Sequence, residues 1–293
     1  MIASLYIDQT AVVRLGDICT EPSEVGRGVR QGCSLSPLLF IIYVEMMMIE
    51  AMEELDEGIK VGGNWIQDVR FAEDQGMVAD TEEGLQKMMD RLVEKAEEYN
   101  MKVNVKKTKV IVINGTGRIK QGVKLNNVPL ERVTRFKYLG SWITDDAKSD
   151  DDIRAKVGMA KAAFWQNKEL MRRNIRFKTK LKILNTYVFS VLNYGCESWT
   201  WNAAMYKKVD AFEMWCYRRI LKINWFDGVS NAEVLSRIHT KLHFREDMMR
   251  RKVRYAGHVL RGSSGLAHLQ ILEGPIEGKR KVGSPRWVPQ GHG

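Results

Sequence analysis

The chain has only four cysteines in 293 residues, Cys19, Cys33, Cys196 and Cys216, and no two of them are close in sequence. That spacing gives no sign of a disulfide scaffold or a Cys-x-x-Cys metal frame, so the cysteines read as reduced thiols. No run of 18 apolar residues occurs. The best stretch, Leu38 to Ile49, carries Glu45 in its middle and is too short to span a bilayer. Met1 to Asp8 lacks the basic start and long apolar core of a secretory signal, so an intracellular protein, nuclear or cytoplasmic, is expected. Internal repeats are also missing. What remains is ordinary globular usage, 44% hydrophobic and 28% charged, in a chain long enough for one large or two modest domains.

Charge is unevenly spread. Residues 151–293 hold 27 Lys and Arg against 12 Asp and Glu, whereas residues 1–150 hold 19 against 24. A basic half of that size suits a polyanion, because cations that replace condensed counterions gain affinity for phosphates. A solvated basic surface would give the same count.

Along the chain, Glu21 to Ser36 is rich in Gly, Pro and Ser and reads as a loop. Ser36 as N-cap and Pro37 at the first helical position then predict a helix to about Glu54. Trp65 to Ala79 reads as two short strands around Glu73-Asp74. Leu85, Met88, Met89, Leu92 and Ala96 fall on one helical face within 81–100, with Asp80 as the expected cap. Val103 to Asn114 alternates as a strand, and Phe136 to Ile143 as a strand or hairpin. Beyond Asp145 long helices are expected. One is capped by Asp150 or Asp151 and runs through Arg173. Others cover 179–194, 203–223 and 231–261, the last capped by Ser230 with Glu233 at capping-box spacing. The fold class is α+β, with a mixed first half (1–144), a helical region (145–261) and a flexible tail (262–293) carrying Lys279-Arg280-Lys281.

Adjacent carboxylates on a hairpin turn, Glu73-Asp74, are the donors a divalent-metal phosphoryl-transfer site needs. Alone, such a pair is more often an ordinary surface turn. Its context is more specific. Arg27 to Phe40 contains Arg30-Gln31-Gly32-Cys33-Ser34-Leu35-Ser36-Pro37, followed by Phe71-Ala72-Glu73-Asp74, then Lys102 to Lys109, then Phe136-Lys137-Tyr138-Leu139-Gly140. This ordered set resembles the reverse transcriptases of non-long-terminal-repeat (LINE-type) retrotransposons, and 153–201 and 255–261 resemble their thumb and following region.

The resemblance implies a partial reverse-transcriptase palm, an antiparallel sheet with helices, followed by a helical thumb. It also implies RNA-directed DNA polymerase chemistry in the intact enzyme, with Mg²⁺ held by Glu73 and Asp74, and an RNA template and DNA primer as partners. Arg30, Gln31 and Gly32 would shape the nucleotide and template pocket, glycine allowing close backbone approach. Lys106, Lys107 and Lys109 match the basic motif near the nucleotide phosphates. Tyr138, Leu139 and Gly140 match the primer-grip hairpin.

Two departures bear on activity. The family has aspartate where this chain has Glu73, and one added methylene moves the carboxylate by about 1.5 Å. Misplacement of roughly 1 Å can cost ~100-fold in rate. Gln75 and Gly76 also replace apolar strand residues, which weakens the hairpin. The family's first catalytic aspartate belongs upstream of the segment that resembles Met1 to Gly16, and any endonuclease domain further upstream still. Two-metal chemistry needs that third acid. Little or no polymerase activity is therefore expected from this chain by itself. The alternatives are a non-catalytic nucleic-acid-binding remnant of a transposable element and a decayed reading frame with exposed apolar surface.

Smaller signals remain. His239 and His243 stand at i, i+4 spacing, but Thr240 replaces the glutamate of the zinc-protease motif, so packing is expected rather than zinc. Trp199, Trp201, Trp215, Tyr217 and Trp225 interleave with Lys207, Lys208, Arg218, Arg219 and Lys222, a pattern that suits either a core or base stacking. Arg172, Arg173, Arg176, Lys178, Lys180 and Lys182 form a denser basic stripe, read as contacts to a nucleic-acid backbone or as a solvated face.

Overall fold

The computed structural model describes residues 6–113, 122–239, 241–262 and 266–274. Packing divides them into two units: residues 6–107 with 122–130, and the remaining described residues. Residues 131–144, expected to close the first domain, therefore pack with the helices. Both units mix helices with short strands, the α+β class expected from the sequence.

The first unit is built on α1 (Ser36–Met52) and α2 (Glu82–Glu98). Val44, Met47, Met48 and Ala51 of α1 meet Met88, Leu92 and Ala96 of α2 in one core. Pro37 occupies the first turn of α1, where its missing N–H costs nothing. Ser36 is not the cap: it lies inside the helix, its hydroxyl 3.2 Å from that of Tyr6, and Leu35 stands at the N-cap. For α2 the cap is Thr81 rather than Asp80. Thr81 has the extended backbone a cap requires, and its Oγ1 accepts the Gly84 N–H at 3.0 Å. Tyr99, past the end of α2, donates to Glu50 at 2.6 Å, and its carbonyl accepts from Tyr43 at 2.8 Å. The Glu50 carboxylate pushes the Tyr99 phenol up to about 12.

Strands occur as separate two-stranded pairs among the described residues, so the expected antiparallel sheet is not continuous. Hairpins Ile59–Val61/Asn64–Ile66 and Asp68–Phe71/Asp74–Met77 precede α2. The strand expected over 103–114 contracts to Lys109–Val110, paired in parallel with Glu131–Arg132. Asn104 explains the loss: its side chain and its carbonyl both accept the Lys107 N–H at 3.1 Å, folding 104–107 into a turn.

The second unit starts with hairpin Arg135–Tyr138/Ser141–Thr144 and continues into α3 (Asp150–Gln166) and α4 (Lys168–Arg172). Asp150 and Asp151 sit in the first turn of α3, where they favour its positive end, and Ser149 holds the N-cap. The helix does not reach Arg173. The Asn167 side chain bonds the Ala163 carbonyl at 2.8 Å, and the chain restarts as α4. Next come α5 (Phe177–Ile183), a π-helical stretch Leu184–Phe189 and α6 (Ser190–Asn193). Then follow α7 (Ala203–Leu221), α8 (Asn231–Arg237), α9 (Phe244–Leu260) and α10 (Leu266–Glu273). The core gathers Ile153, Leu184, Leu192, Val209, Phe212 and Phe244, among others. Part of the expected flexible tail is thus the helix α10, and Lys279-Arg280-Lys281 lies outside the described residues. No helix of the described residues is long and apolar enough to cross a membrane.

Ser230 caps α8 as expected, accepting the Glu233 N–H at 3.2 Å, yet the predicted 231–261 helix is two helices. The cause is distant in sequence. Glu213, fully buried on α7, accepts the backbone N–H of His243 at 3.2 Å and of Phe244 at 3.3 Å. It thereby supplies acceptors to the start of α9 from another element. Tyr217 donates to the same carboxylate at 2.7 Å, and the His243 ring stands 3.1 Å from it.

The hydrogen bond that the His243 imidazole donates to Glu213 holds its pKa above the ordinary 6.5. A histidine raised on folding contributes stability that is fully present below its unfolded pKa and is lost as pH rises through the folded value. The thermal midpoint should therefore fall as pH climbs above 6.5, and His243→Gln should flatten that part of the profile. An identical slope in both proteins would place the titration elsewhere.

Candidate functional site

In the first unit, Glu73 and Asp74 stand exposed at the tip of the 68–77 hairpin. The turn is Ala72-Glu73, with Ala72 at φ +50°, a conformation more often given to glycine. Gln75 Nε2 donates to the Ala72 carbonyl at 2.9 Å and helps hold that turn. Its Oε1 is buried with no hydrogen-bond partner among the described residues, a cost that an apolar residue there would not carry. The hairpin is tied down by Arg70, one pair from its turn. Its guanidinium bonds Asp68 at 2.7 and 3.0 Å and reaches Glu45 of α1 at 2.8 Å. Burial opposes the Arg70 charge, but its contacts to the Asp68 and Glu45 carboxylates outweigh it and hold the pKa above its ordinary value.

Arg30, Gln31 and Gly32 form an exposed turn leading to α1, closed by the Cys33 N–H to the Arg30 carbonyl at 3.3 Å. Gly32 has φ +88° at the third position, where a type II turn requires positive φ. Lys106 and Lys107 are exposed on the Asn104 turn. Lys109 belongs to the second unit and bonds Glu131 across the parallel pair, so its charge is already met by a carboxylate.

In the second unit, Tyr138, Leu139 and Gly140 sit at the end of the 135–144 hairpin. Leu139 (φ +47°) and Gly140 (φ +82°) both have positive φ, the signature of a I′ turn, which matches the twist of the flanking strands. Three side chains fix it. Lys156 Nζ donates to the Gly140 carbonyl at 2.8 Å, and Tyr194 donates to the Leu139 carbonyl at 3.0 Å. Asp152, 2% exposed, accepts the Trp142 N–H at 2.9 Å and the Trp199 indole N–H at 2.7 Å. Burial lowers the Lys156 pKa, and Asp152 one turn away offsets part of that. A β-carbon on Gly140 would come within 3.2 Å of the Tyr194 ring. Asp152, Lys156, Tyr194 and Trp199 had no role in the sequence reading beyond their helices or aromatic character. The one available signal was the i, i+4 spacing of Lys156 from Asp152, the last of three consecutive acids.

The basic stripe follows the same unit. Arg172, Arg173, Arg176, Lys178 and Lys182 are exposed and Lys180 is half-buried, with Lys178 and Lys182 one turn apart on α5. The interleaved aromatics divide: Trp199 and Tyr217 are buried, Trp201 stacks on Tyr206, and Trp225 is 81% exposed. His239, at φ +49°, lies between α8 and α9 and does not share a helix face with His243. The four cysteines are free, and burial pushes the Cys196 thiol up to about 12. Among the described residues, no three His, Cys, Asp or Glu side chains gather in a group able to hold a metal.

The family profile described as reverse transcriptase (RNA-dependent DNA polymerase) matches residues 1–143, which contain both hairpins' turns and the Arg30 loop. Residues 1–143 belong to the reverse transcriptase family. Curated relatives agree and extend the likeness beyond that segment. A transposon-derived protein of Caenorhabditis elegans is 27% identical over 241 residues, 78% of this chain and 85% of its own length. The Pol polyprotein of a type-2 retrotransposable element of Drosophila melanogaster is 31% identical over 39% of this chain and 11% of its own length. An RNA-directed DNA polymerase of the X-element transposon of the same fly is 25% identical over 73% and 24%. The chain thus spans under a quarter of either insect protein. The non-long-terminal-repeat resemblance carried by the ordered motifs agrees with these relatives.

Reverse transcriptases use a divalent metal, and Glu73 and Asp74 offer the hard oxygen donors such an ion takes. Two variants test how the two hairpins are held. Asp152→Ala leaves the buried Trp199 indole N–H and the half-buried Trp142 N–H without their acceptor, and Lys156 without its compensating charge. It should cost about 3–5 kcal/mol, read as a lowered denaturation midpoint, and a loss below roughly 1 kcal/mol would remove Asp152 from its central place. Arg70→Met should speed amide exchange at 69–77 in the reverse-transcriptase segment while α2 stays protected. Unchanged exchange in the hairpin would mean that Arg70 does not anchor it.

Proposed function

We propose that this chain is a reverse-transcriptase-derived protein that binds an RNA template paired with a DNA primer but does not extend the primer by itself. The observation that carries the reading is the Glu73–Asp74 pair, presented at a hairpin tip inside the reverse-transcriptase segment, with glutamate at the first position. Glu73 and Asp74 would hold Mg²⁺, with water and nucleotide phosphates completing its six oxygen ligands. Such an ion supplies charge neutralisation at the phosphate attacked by the primer 3′-hydroxyl. The turn at Gly32 would let the backbone approach template and nucleotide, and Lys106 would meet the phosphates. Tyr138 to Gly140 would seat the primer end on a turn whose carbonyls are already committed to Lys156 and Tyr194.

One feature argues against turnover: the longer Glu73 side chain displaces its carboxylate on a scale where about 1 Å costs ~100-fold. Binding does not depend on it. Arg172, Arg173, Arg176, Lys178, Lys180 and Lys182 supply cations spaced along α4 and α5 for a phosphate backbone. An RNA–DNA partner suits an intracellular protein, nuclear or cytoplasmic.

The test is RNA-templated primer extension by the purified chain in Mg²⁺ and in Mn²⁺, beside Glu73→Asp and Asp74→Ala. Binding of the same primer–template is followed over a salt series. No extension by the wild-type chain is expected, with affinity falling as log–log slope near −5 if all six cations reach phosphates. Extension by the wild-type chain that disappears in Asp74→Ala would overturn the inactive reading. Salt-insensitive binding, or none, would overturn the binding reading.

A further inference from the structure

The second unit contains a cleft of about 1030 Å³ bordered by the ends of α3 and α4, the C-terminal part of α7 and the turn that follows it. Its chemistry has one sign. Lys168, Arg172, Arg218, Arg219 and Lys222 line it, and no carboxylate does among the described residues. Its apolar lining includes the indoles of Trp165, Trp215 and Trp225. The Arg219 guanidinium lies 5.1 Å from the Trp165 ring centroid and 5.2 Å from that of Trp215, and the Lys168 ammonium lies 5.4 Å from Trp165. These cations are thus oriented by aromatic faces instead of being neutralised by acids.

Trp225 is the most exposed of the rings that line the cleft, at 81%, although most aromatic residues of α7 fill the core. Phe226 beside it is 95% exposed and does not line the cleft. The position of Trp225 is not a loose one. The 3₁₀ turn Trp225–Asp227 is held by a capping box in which the Asn224 N–H donates to the Asp227 carboxylate at 2.6 Å, and Gly228 at φ +62° closes it. A fixed turn therefore holds a large flat ring in water at the rim of a cationic cleft.

A ligand that satisfies this surface needs closely spaced negative charges together with flat faces able to stack. Duplex nucleic acid offers the charges but hides its base faces inside the helix. An unpaired strand offers both. We propose that the cleft binds single-stranded nucleic acid, one base stacking on Trp225 while its phosphates meet Arg172, Arg218 and Lys222. This rests on the nucleic-acid-binding reading above and adds to it an adjoining surface for a strand that has left the duplex.

Fluorescence anisotropy of the full chain with three labelled probes tests it: a blunt RNA–DNA duplex, and the same duplex with an unpaired RNA or an unpaired DNA extension. An extension of either kind should tighten binding. Trp225→Ala should remove about tenfold of that gain, Trp225→Phe should keep most of it, and blunt-duplex affinity should not change. Equal wild-type affinity for blunt and extended probes overturns the proposal, as does a gain that survives Trp225→Ala. In both cases blunt-duplex binding persists, so the broader reading stands. Absence of salt-sensitive binding to all three probes would instead bring down both.

Discussion

The second unit depends on one buried carboxylate. Asp152 sits in the first turn of α3, where the helix dipole favours its charge, and takes one donor from the hairpin and one from Trp199. Trp199 in turn offers its carbonyl to Lys252 of α9 at 2.7 Å. Hairpin, α3, the 196–199 corner and α9 are thereby joined through a single residue. One helical turn on, Lys156 spends its buried ammonium on the Gly140 carbonyl and lies 4.4 Å from the Tyr194 ring centroid. Buried charges of this kind stabilise less than apolar packing of equal volume. What they provide here is geometry. Leu139 occupies a left-handed conformation that costs a branched residue about 1–2 kcal/mol, and it is held there because the turn's carbonyls have fixed partners.

The carboxylate hairpin of the first unit is held more lightly. Its anchor, Arg70, bridges Asp68 and a half-exposed Glu45, and the strand faces that carry Val69 and Phe71 are open to water. Solvent weakens such bridges, whereas the Asp152 contacts are shielded from it. The core beneath is rich in methionine: Met47, Met48, Met52 and Met88 fill the α1–α2 contact. Methionine packs adaptably and specifies position less sharply than branched side chains. The hairpins proposed for metal binding and for primer grip are therefore built to different stiffness, and the stiffer one is that proposed to hold a strand.

Local pattern in the sequence was sufficient for α2, for the 68–77 and 135–144 hairpins and for the Ser230 cap, because each is decided by residues within one or two turns of each other. It was also sufficient for the reverse-transcriptase kinship, since four ordered motifs leave little room for coincidence. Where local pattern failed, a distant partner or a competing side chain decided. Periodicity across 231–261 is helical throughout, yet Glu213, about thirty residues upstream, determines where α9 starts. Alternation across 103–114 is strand-like, yet the short side chain of Asn104 captures the backbone first. Asp152 and Lys156 read as ordinary helix-face charges, since nothing nearby in sequence marks them as buried.

The interleaved aromatic and basic residues show the same division most sharply. One sequence pattern allows a core or a binding face, and the structure uses it for both. Trp199 and Tyr217 have buried hydrogen-bond partners, Asp152 and Glu213, which fix them inside. Trp225 comes after α7 has ended at Lys222, in a turn that closes on itself through Asn224 and Asp227, so no core remains for it to enter. Arg172 belongs to both the basic stripe and the cleft. A duplex lying along α4 and α5 would thus share a phosphate-binding residue with the strand emerging from it. On that arrangement paired and unpaired nucleic acid occupy adjoining surfaces of one unit, and neither surface requires the carboxylate hairpin to be competent for chemistry.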